Sequence, residues 1–148
     1  MNKKTVVLFT ALIFFTLPVA VQAAILRFDP SEGMYGAGDE FAVNLLIDIN
    51  SGCVNTIEAE VLFPAERVQL KSVLTGDSVV SIWVDRPSDA ELAGANEAGR
   101  LHLSGGIPGG YCGRIPGDPG DSNIVARIVF AVPAMTVAIT VHGRSPIR

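Results

Sequence analysis

The sequence is poor in basic residues, with 11 Lys and Arg against 15 Asp and Glu in 148 residues. Two of the lysines, Lys3 and Lys4, stand in an N-terminal segment without acidic residues. The remainder of the chain therefore has 9 basic residues and a net charge of −6. Nucleic acids and anionic membranes bind clustered Lys and Arg that replace counterions. The scarcity of these residues argues against both as partners.

The sequence also lacks the short motifs that mark common catalytic sites. It contains no G-x-S-x-G elbow, P-loop, H-E-x-x-H motif or dinucleotide-binding fingerprint. Neither His102 nor His142 forms a recognised pattern with a Ser or Cys nucleophile. Glu58 and Glu60 lie on one side of a predicted strand, about 7 Å apart. That placement is typical of a solvated sheet face rather than of a glycosidase's carboxylate pair, so neither an enzyme nor a cofactor is predicted.

Only two cysteines occur, Cys53 and Cys112. An even number of cysteines indicates a disulfide if the chain is exported, as its N-terminal segment predicts (see below). Two free thiols are the alternative. On the chain-entropy model, a bridge over 59 residue steps stabilises the fold by about 4 kcal/mol. No zinc site is predicted, because the cysteines and the distant histidines lack the close spacing of zinc ligands.

A long hydrophobic run occurs at the N-terminus, over residues 6–21. It follows two lysines and ends in Val21-Gln22-Ala23, which suits cleavage by a signal peptidase. An uncleaved anchor is the alternative, since the run approaches the roughly 20 residues that span a bilayer. We expect residues 1–23 to be a secretory signal and residues 24–148 to form one domain. The mature protein, without a membrane span, is then expected to be secreted, extracellular or in the cell envelope.

Helical periodicity is scarce, and apolar residues alternate with polar ones instead. Seven segments alternate in this way: residues 41–49, 57–63, 68–71, 80–85, 100–104, 124–130 and 137–141. Turn-forming Gly and Pro residues separate them, and only residues 87–95 are expected to hold a short helical turn. Short alternating strands with such connections predict an all-β antiparallel sandwich of about eight or nine strands.

A Gly- and Pro-rich segment, GGIPGGYCGRIPGDPG, occupies residues 105–120. It predicts successive tight turns rather than helix or regular strand, with Cys112 tying it to the body of the protein. Asp118, Asp121 and Asn123 follow within a few residues of one another. Such oxygen ligands can hold calcium, but the EF-hand order is absent and turns favour the same residues. A turn is the prediction and calcium the alternative.

Four segments share a further pattern of strands and turns. They read ILRFDPSEGMYGAGDEFAVNLLIDINSG (25–52, with Gly38-Asp39 in its turn), VNTIEAEVLFPAERVQL (54–70, its strand ending at Phe63-Pro64), GRLHLSGGIPGG (99–110) and SNIVARIVFAV (122–132). Together they resemble a cohesin domain over about residues 25–142. The resemblance implies a nine-stranded jelly-roll sandwich that binds a dockerin-like domain on a partner protein. Such binding would serve the assembly of a surface or polysaccharide-degrading complex.

The sequence departs from the cohesin pattern in two places. Cohesins do not generally need a disulfide, whereas this chain has Cys53 and Cys112. Residues 136–148, TVAITVHGRSPIR, stop where a cohesin would continue to its last strand. A missing strand leaves N–H and C=O groups unpaired along a sheet edge. A truncated reading frame is one explanation and a strand donated by a partner is the other.

The resemblance also implies that one polar sheet face binds the partner. The candidate residues are Asn55, Glu58, Glu60, Ser81, Trp83, Arg100, His102 and Arg127. Trp83 is expected to point outward because it alternates with the apolar residues Val80, Ile82 and Val84. An exposed Trp is a common hot-spot residue in binding. A bulge that shifts the register would bury it instead.

Two other functions stay open. A carbohydrate-binding module of the same fold would stack sugars on exposed aromatic rings, for which the chain offers Trp83, Tyr35 and Tyr111. A polysaccharide is therefore the second candidate partner. A purely architectural envelope protein would bind neither ligand.

Overall fold

The computed structural model describes residues 24–134. Its elements are β1 (Ala24–Asp29), β2 (Glu40–Ile49), β3 (Val54–Leu62), β4 (Gln69–Leu74), β5 (Ile82–Asp85), α1 (Leu92–Ala98), β6 (Arg100–Tyr111) and β7 (Ile124–Ala131). The expected signal and the alternating segment 137–141 lie outside the described residues. The helix described between residues 24 and 134 has neither the length nor the hydropathy of a membrane span.

The strands form two antiparallel sheets. One has the order β1-β2-β7-β4 and the other the order β3-β6-β5. Buried apolar side chains from both sheets form a single core, which includes Leu45, Val61, Leu70, Leu103 and Ile128. The predicted all-β class with two antiparallel sheets is confirmed. The strand number and the jelly-roll topology stay predictions.

Buried and exposed side chains alternate along β3 and β6, as predicted. Ile57 and Val61 of β3 are buried, and Leu101 and Leu103 of β6 are fully buried. The residues between them on both strands are solvent-exposed or only partly buried. Because successive side chains of a strand point to opposite faces, one face of this sheet covers the core and the other meets water.

The turn prediction for residues 105–120 is wrong over its first part, because Gly105 to Tyr111 belong to β6. A Cβ atom at Gly105 would lie 2.5 Å from a methyl carbon of Val80 and 2.6 Å from the carbonyl oxygen of Ile82. Glycine here therefore allows a close approach of two chain segments rather than a turn. The register of β3 on β6 shifts beyond Thr56, and this irregularity accommodates Gly109 and Gly110 with φ of 86° and 79°.

The predicted disulfide between Cys53 and Cys112 is confirmed, with Cα atoms 4.0 Å apart. The two cysteines flank the cross-strand pair Val54 and Tyr111. The bridge therefore ties the start of β3 to the end of β6, at one end of the three-stranded sheet.

The short helix α1 overlaps the predicted helical turn and extends it to Ala98. Before it, the N–H and hydroxyl of Ser88 donate to Glu91 Oε2 at 2.8 and 2.9 Å. The helix ends at Gly99, whose φ of 63° is left-handed. Asn96 Oδ1 accepts the Leu70 N–H at 2.7 Å, and Asn96 Nδ2 donates to the Leu70 carbonyl at 3.0 Å. These bonds fasten the helix to β4.

The two long sides of the sandwich differ. On the side of β4 and β5 the chain crosses between the sheets, with the Val79 N–H donating to Ile124 O at 2.8 Å and the Ser81 N–H to Gly106 O at 3.2 Å. The helix lies against β4 and β6. On the opposite side β1 and β3 are edge strands, and no strand within residues 24–134 pairs with their outer edges.

Candidate functional site

The outer face of the three-stranded sheet carries most of the predicted binding residues. We call it the His102 face and define it by Glu58, Glu60, Ile82, Val84, Asp85, Arg100 and His102. All seven are exposed to solvent. Asn55 near the start of β3 and Ser81 just before β5 are also exposed, at the end of the sheet nearer the disulfide.

Charged side chains on this face are paired across the strands. Arg100 Nη1 lies 3.0 Å from Glu60 Oε1. His102 Nδ1 lies 2.7 Å from Asp85 Oδ2, and its Nε2 lies 3.4 Å from Glu58 Oε1. Glu60 stands opposite His102 in the register, so the partners on β3 and β6 are diagonal neighbours, which long side chains can bridge. The His102 imidazole is therefore flanked by two carboxylates, those of Asp85 and Glu58.

The two carboxylates favour the protonated form of His102. The hydrogen bond to Asp85 is the main cause of a raised pKa, desolvation opposes it, and the contact with Glu58 adds to the increase. A neutral imidazole has one N–H donor, whereas the imidazolium has two. Because both ring nitrogens face carboxylate oxygens, the cation suits the site better than either neutral tautomer does.

Trp83 faces the opposite way to the prediction. It is half-buried and packs against the core, whereas Ile82 and Val84 are 56% and 82% exposed. Val80 is buried as expected, but it precedes β5 in the segment that crosses between the sheets. Alternation is interrupted there, so the inward orientation of Val80 does not carry over to Ile82.

Arg127 lies away from the other candidates. It is exposed on β7, in the four-stranded sheet, where its register partners are Asn44 and Leu74. The core separates the outer faces of the two sheets, so Arg127 cannot share a surface with His102. The prediction that it belongs to the same face is wrong.

Three residues of the His102 face were not among the sequence candidates. Asp85 could have been predicted as part of this face, because it is a charged residue at the end of an alternating segment. Ile82 and Val84 could not, since an apolar residue in an alternating strand is predicted to be buried. Their exposure depends on where the chain crosses between sheets, which alternation does not reveal.

The calcium candidates form local contacts. Asp118 Oδ2 accepts the Ile115 N–H at 2.7 Å, as in a turn. Asn123 is buried, and its Nδ2 donates to Ile47 O at 3.2 Å and Asp48 Oδ1 at 3.0 Å, which links the start of β7 to β2. In the part of the chain that the structure describes, no three His, Cys, Asp or Glu residues are grouped to hold a metal ion. Asn123 Oδ1 is buried and has no hydrogen-bond partner among the described residues, so calcium stays the alternative that the sequence left open.

Comparison of the chain with protein-family models, curated proteins and solved structures finds no match. The cohesin resemblance therefore stays a prediction. The structure itself defines the class: an antiparallel β protein of two sheets with one disulfide, and an exposed sheet face of paired charges beside apolar side chains.

Proposed function

We propose that the protein is a non-catalytic recognition module that binds another protein through the His102 face. The observation that carries the proposal is the exposure of Ile82 and Val84, 56% and 82%, beside the charge pairs. Apolar contact area with a polar, hydrogen-bonding surround is typical of protein–protein sites. The cross-strand pairs hold the charged side chains in defined positions, which lowers the entropy cost of binding.

The proposed partner is a dockerin-like domain, a choice that depends on the sequence resemblance. The face carries both signs of charge, so a partner with mixed charges complements it. Export to an oxidising compartment agrees with the disulfide. In that setting the protein would take part in assembling a surface or polysaccharide-degrading complex.

Polysaccharide binding ranks second because of the orientation of Trp83. A sugar-binding face needs exposed aromatic rings against which C–H surfaces can stack. Trp83 packs against the core. Tyr35 stacks on Phe41, with ring centroids 3.8 Å apart, and lies away from the His102 face at the far end of the sandwich. Binding to an insoluble polysaccharide with no affinity for proteins would reverse the order.

The test measures affinity for a panel of dockerin-like domains by titration calorimetry. Val84→Asp places a charge on the proposed face, and we expect at least about tenfold weaker binding, the loss typical of a hot-spot residue. Leu74→Asp is the matched control, because Leu74 is 51% exposed on the other sheet. Absence of binding across the panel, or equal losses for the two variants, would contradict the proposal.

A further inference from the structure

The carboxylates on either side of His102 share one imidazole as their charged partner. Asp85 on β5 faces its Nδ1 at 2.7 Å, and Glu58 on β3 faces its Nε2 at 3.4 Å. The register partner of His102, Glu60, is paired instead with Arg100 of β6 at 3.0 Å. These four are the charged groups that face His102 from the strands around it. Within residues 24–134, neither Asp85 nor Glu58 forms an ion pair with a Lys or Arg.

The number of N–H donors on the imidazole decides whether both carboxylates have a partner. The imidazolium has one N–H for each, whereas the neutral ring has one for the two. The Asp85 contact is the shorter, so the neutral ring keeps its N–H on Nδ1 and Glu58 loses its donor. The side chain of Glu58 is 80% exposed. A cation from outside the protein can therefore reach this carboxylate.

The charge of the His102 face depends on the same proton. Of the seven residues that define the face, Glu58, Glu60 and Asp85 are acidic and Arg100 is the permanent cation. The net charge of the face is therefore −2 with a neutral imidazole and −1 with an imidazolium. Like charges brought together across an interface oppose binding, and opposite charges favour it. Loss of the proton from His102 thus favours a basic group at Glu58.

Apolar side chains lie on the same face as these carboxylates. Ile82 and Val84 are exposed on β5, the strand that ends in Asp85. Protein-binding sites combine such apolar area with a polar rim. A protein that covers Ile82 and Val84 and carries a Lys or Arg at its margin therefore complements both features of the face.

We propose that the protein partner pairs a Lys or Arg with Glu58 once the His102 imidazole has lost its proton, so that the partner and the proton compete. An imidazolium close to the same carboxylate repels the incoming cation. Affinity for the partner then increases as the pH rises through the pKa of His102, and partner binding lowers that pKa by the same factor. This inference rests on the proposed function and adds the chemistry of one contact and its regulation by pH.

The test measures dissociation constants by titration calorimetry at pH 5.5 and pH 8. It uses the protein purified after expression of the whole 148-residue sequence and the tightest-binding dockerin-like domain of the panel. We expect binding to be at least about fivefold weaker at pH 5.5, the lower end of typical coupling between two sites. His102→Gln, which cannot become a cation, should bind with the same dissociation constant at both pH values.

A pair of matched variants separates Glu58 from acidic residues in general. Glu58→Gln should bind more weakly than the wild type at pH 8 and should lose the pH dependence. Glu40→Gln is the control, because Glu40 is exposed on β2 of the other sheet, and it should keep the wild-type ratio between the two pH values. A ratio near one in the wild type, or a wild-type ratio retained in His102→Gln, would overturn the inference and leave the proposed function standing.

A second measurement decides the inference even if no domain of the panel binds, an outcome that would contradict the proposed function. The probe is the peptide acetyl-Leu-Arg-Leu-amide, and the control is the same peptide with Glu in place of Arg. NMR titration of the His102 imidazole should show that the Arg peptide lowers its pKa as the peptide concentration rises, and that the Glu peptide does not. A pKa that the Arg peptide leaves unchanged would overturn the inference.

Discussion

His102 Nδ1 lies 2.7 Å from Asp85 Oδ2, and this contact joins the central strand β6 to the edge strand β5. The other ring nitrogen reaches Glu58 on β3 at 3.4 Å. One imidazole therefore connects all three strands of the sheet. Both neighbours are carboxylates, so the charge state of His102 determines how strong these connections are.

The first prediction concerns the pKa of His102, which the Asp85 hydrogen bond raises above its ordinary value. Asp85→Asn should lower that pKa, because the principal acceptor loses its charge. Glu58→Gln should lower it less, since its contact is longer and contributes less to the increase. NMR titration of the imidazole protons measures both values, with His142→Gln used to assign the signals. An unchanged pKa in Asp85→Asn would contradict the geometry.

The second prediction concerns stability against pH. A raised pKa in the folded state means that the contribution of His102 is fully present below the unfolded value of about 6.5 and is lost as the pH rises through the folded value. Urea unfolding of the wild type and of His102→Gln should therefore differ more at pH 6 than at pH 8. If the difference between the free energies of unfolding of the two proteins is the same at pH 6 and at pH 8, the contacts of protonated His102 do not stabilise the fold.

The third prediction concerns the disulfide. Replacing Cys53 and Cys112 together by serine should lower the free energy of unfolding by about 4 kcal/mol on the chain-entropy model, for a bridge between residues 59 positions apart. Urea unfolding measures the difference. Unfolding of the wild type after reduction of its disulfide provides an independent comparison. A loss below about 1 kcal/mol would mean that the unfolded chain is not constrained in the way that model assumes.

The fourth prediction concerns Asn96, whose side chain satisfies both the N–H and the carbonyl of Leu70. Asn96→Ala leaves these partly buried groups without that partner and should cost about 1–3 kcal/mol. Glu97→Ala is the matched control on the same helix, because Glu97 is exposed and should change stability by less than about 0.5 kcal/mol. Equal effects in thermal unfolding would indicate that α1 does not depend on its bonds to β4.

Alternation in the sequence predicted the orientation of Glu58, Glu60, Arg100 and His102 correctly. Each lies within a strand whose period of two is unbroken, so burial of every second residue determines the outward set. The pairing of Cys53 with Cys112 followed from their number and the expected compartment. These features depend on local pattern or on composition, which a single sequence provides.

The positions of Trp83, Arg127 and Gly105 depend on contacts between segments that are distant in the sequence, which a local pattern does not predict. Trp83 points inward because the chain crosses between the sheets just before β5, which interrupts the alternation after Val80. Arg127 lies on the other sheet because β7 pairs with β2 and β4, and strand pairing does not follow from the pattern of one strand. Gly105 in β6 reflects its contact with Val80, a residue 25 positions earlier in the sequence.

Partner binding on the His102 face can be tested residue by residue. The most direct measurement is a titration of the isotope-labelled protein with the tightest-binding dockerin-like domain of the panel, followed by amide chemical shifts. Binding on the His102 face should change the amide shifts most at Glu58, Val84 and His102, with little change at Lys71 and Arg127 on the other sheet. Large changes at Lys71 and Arg127 without any at Val84 would contradict it.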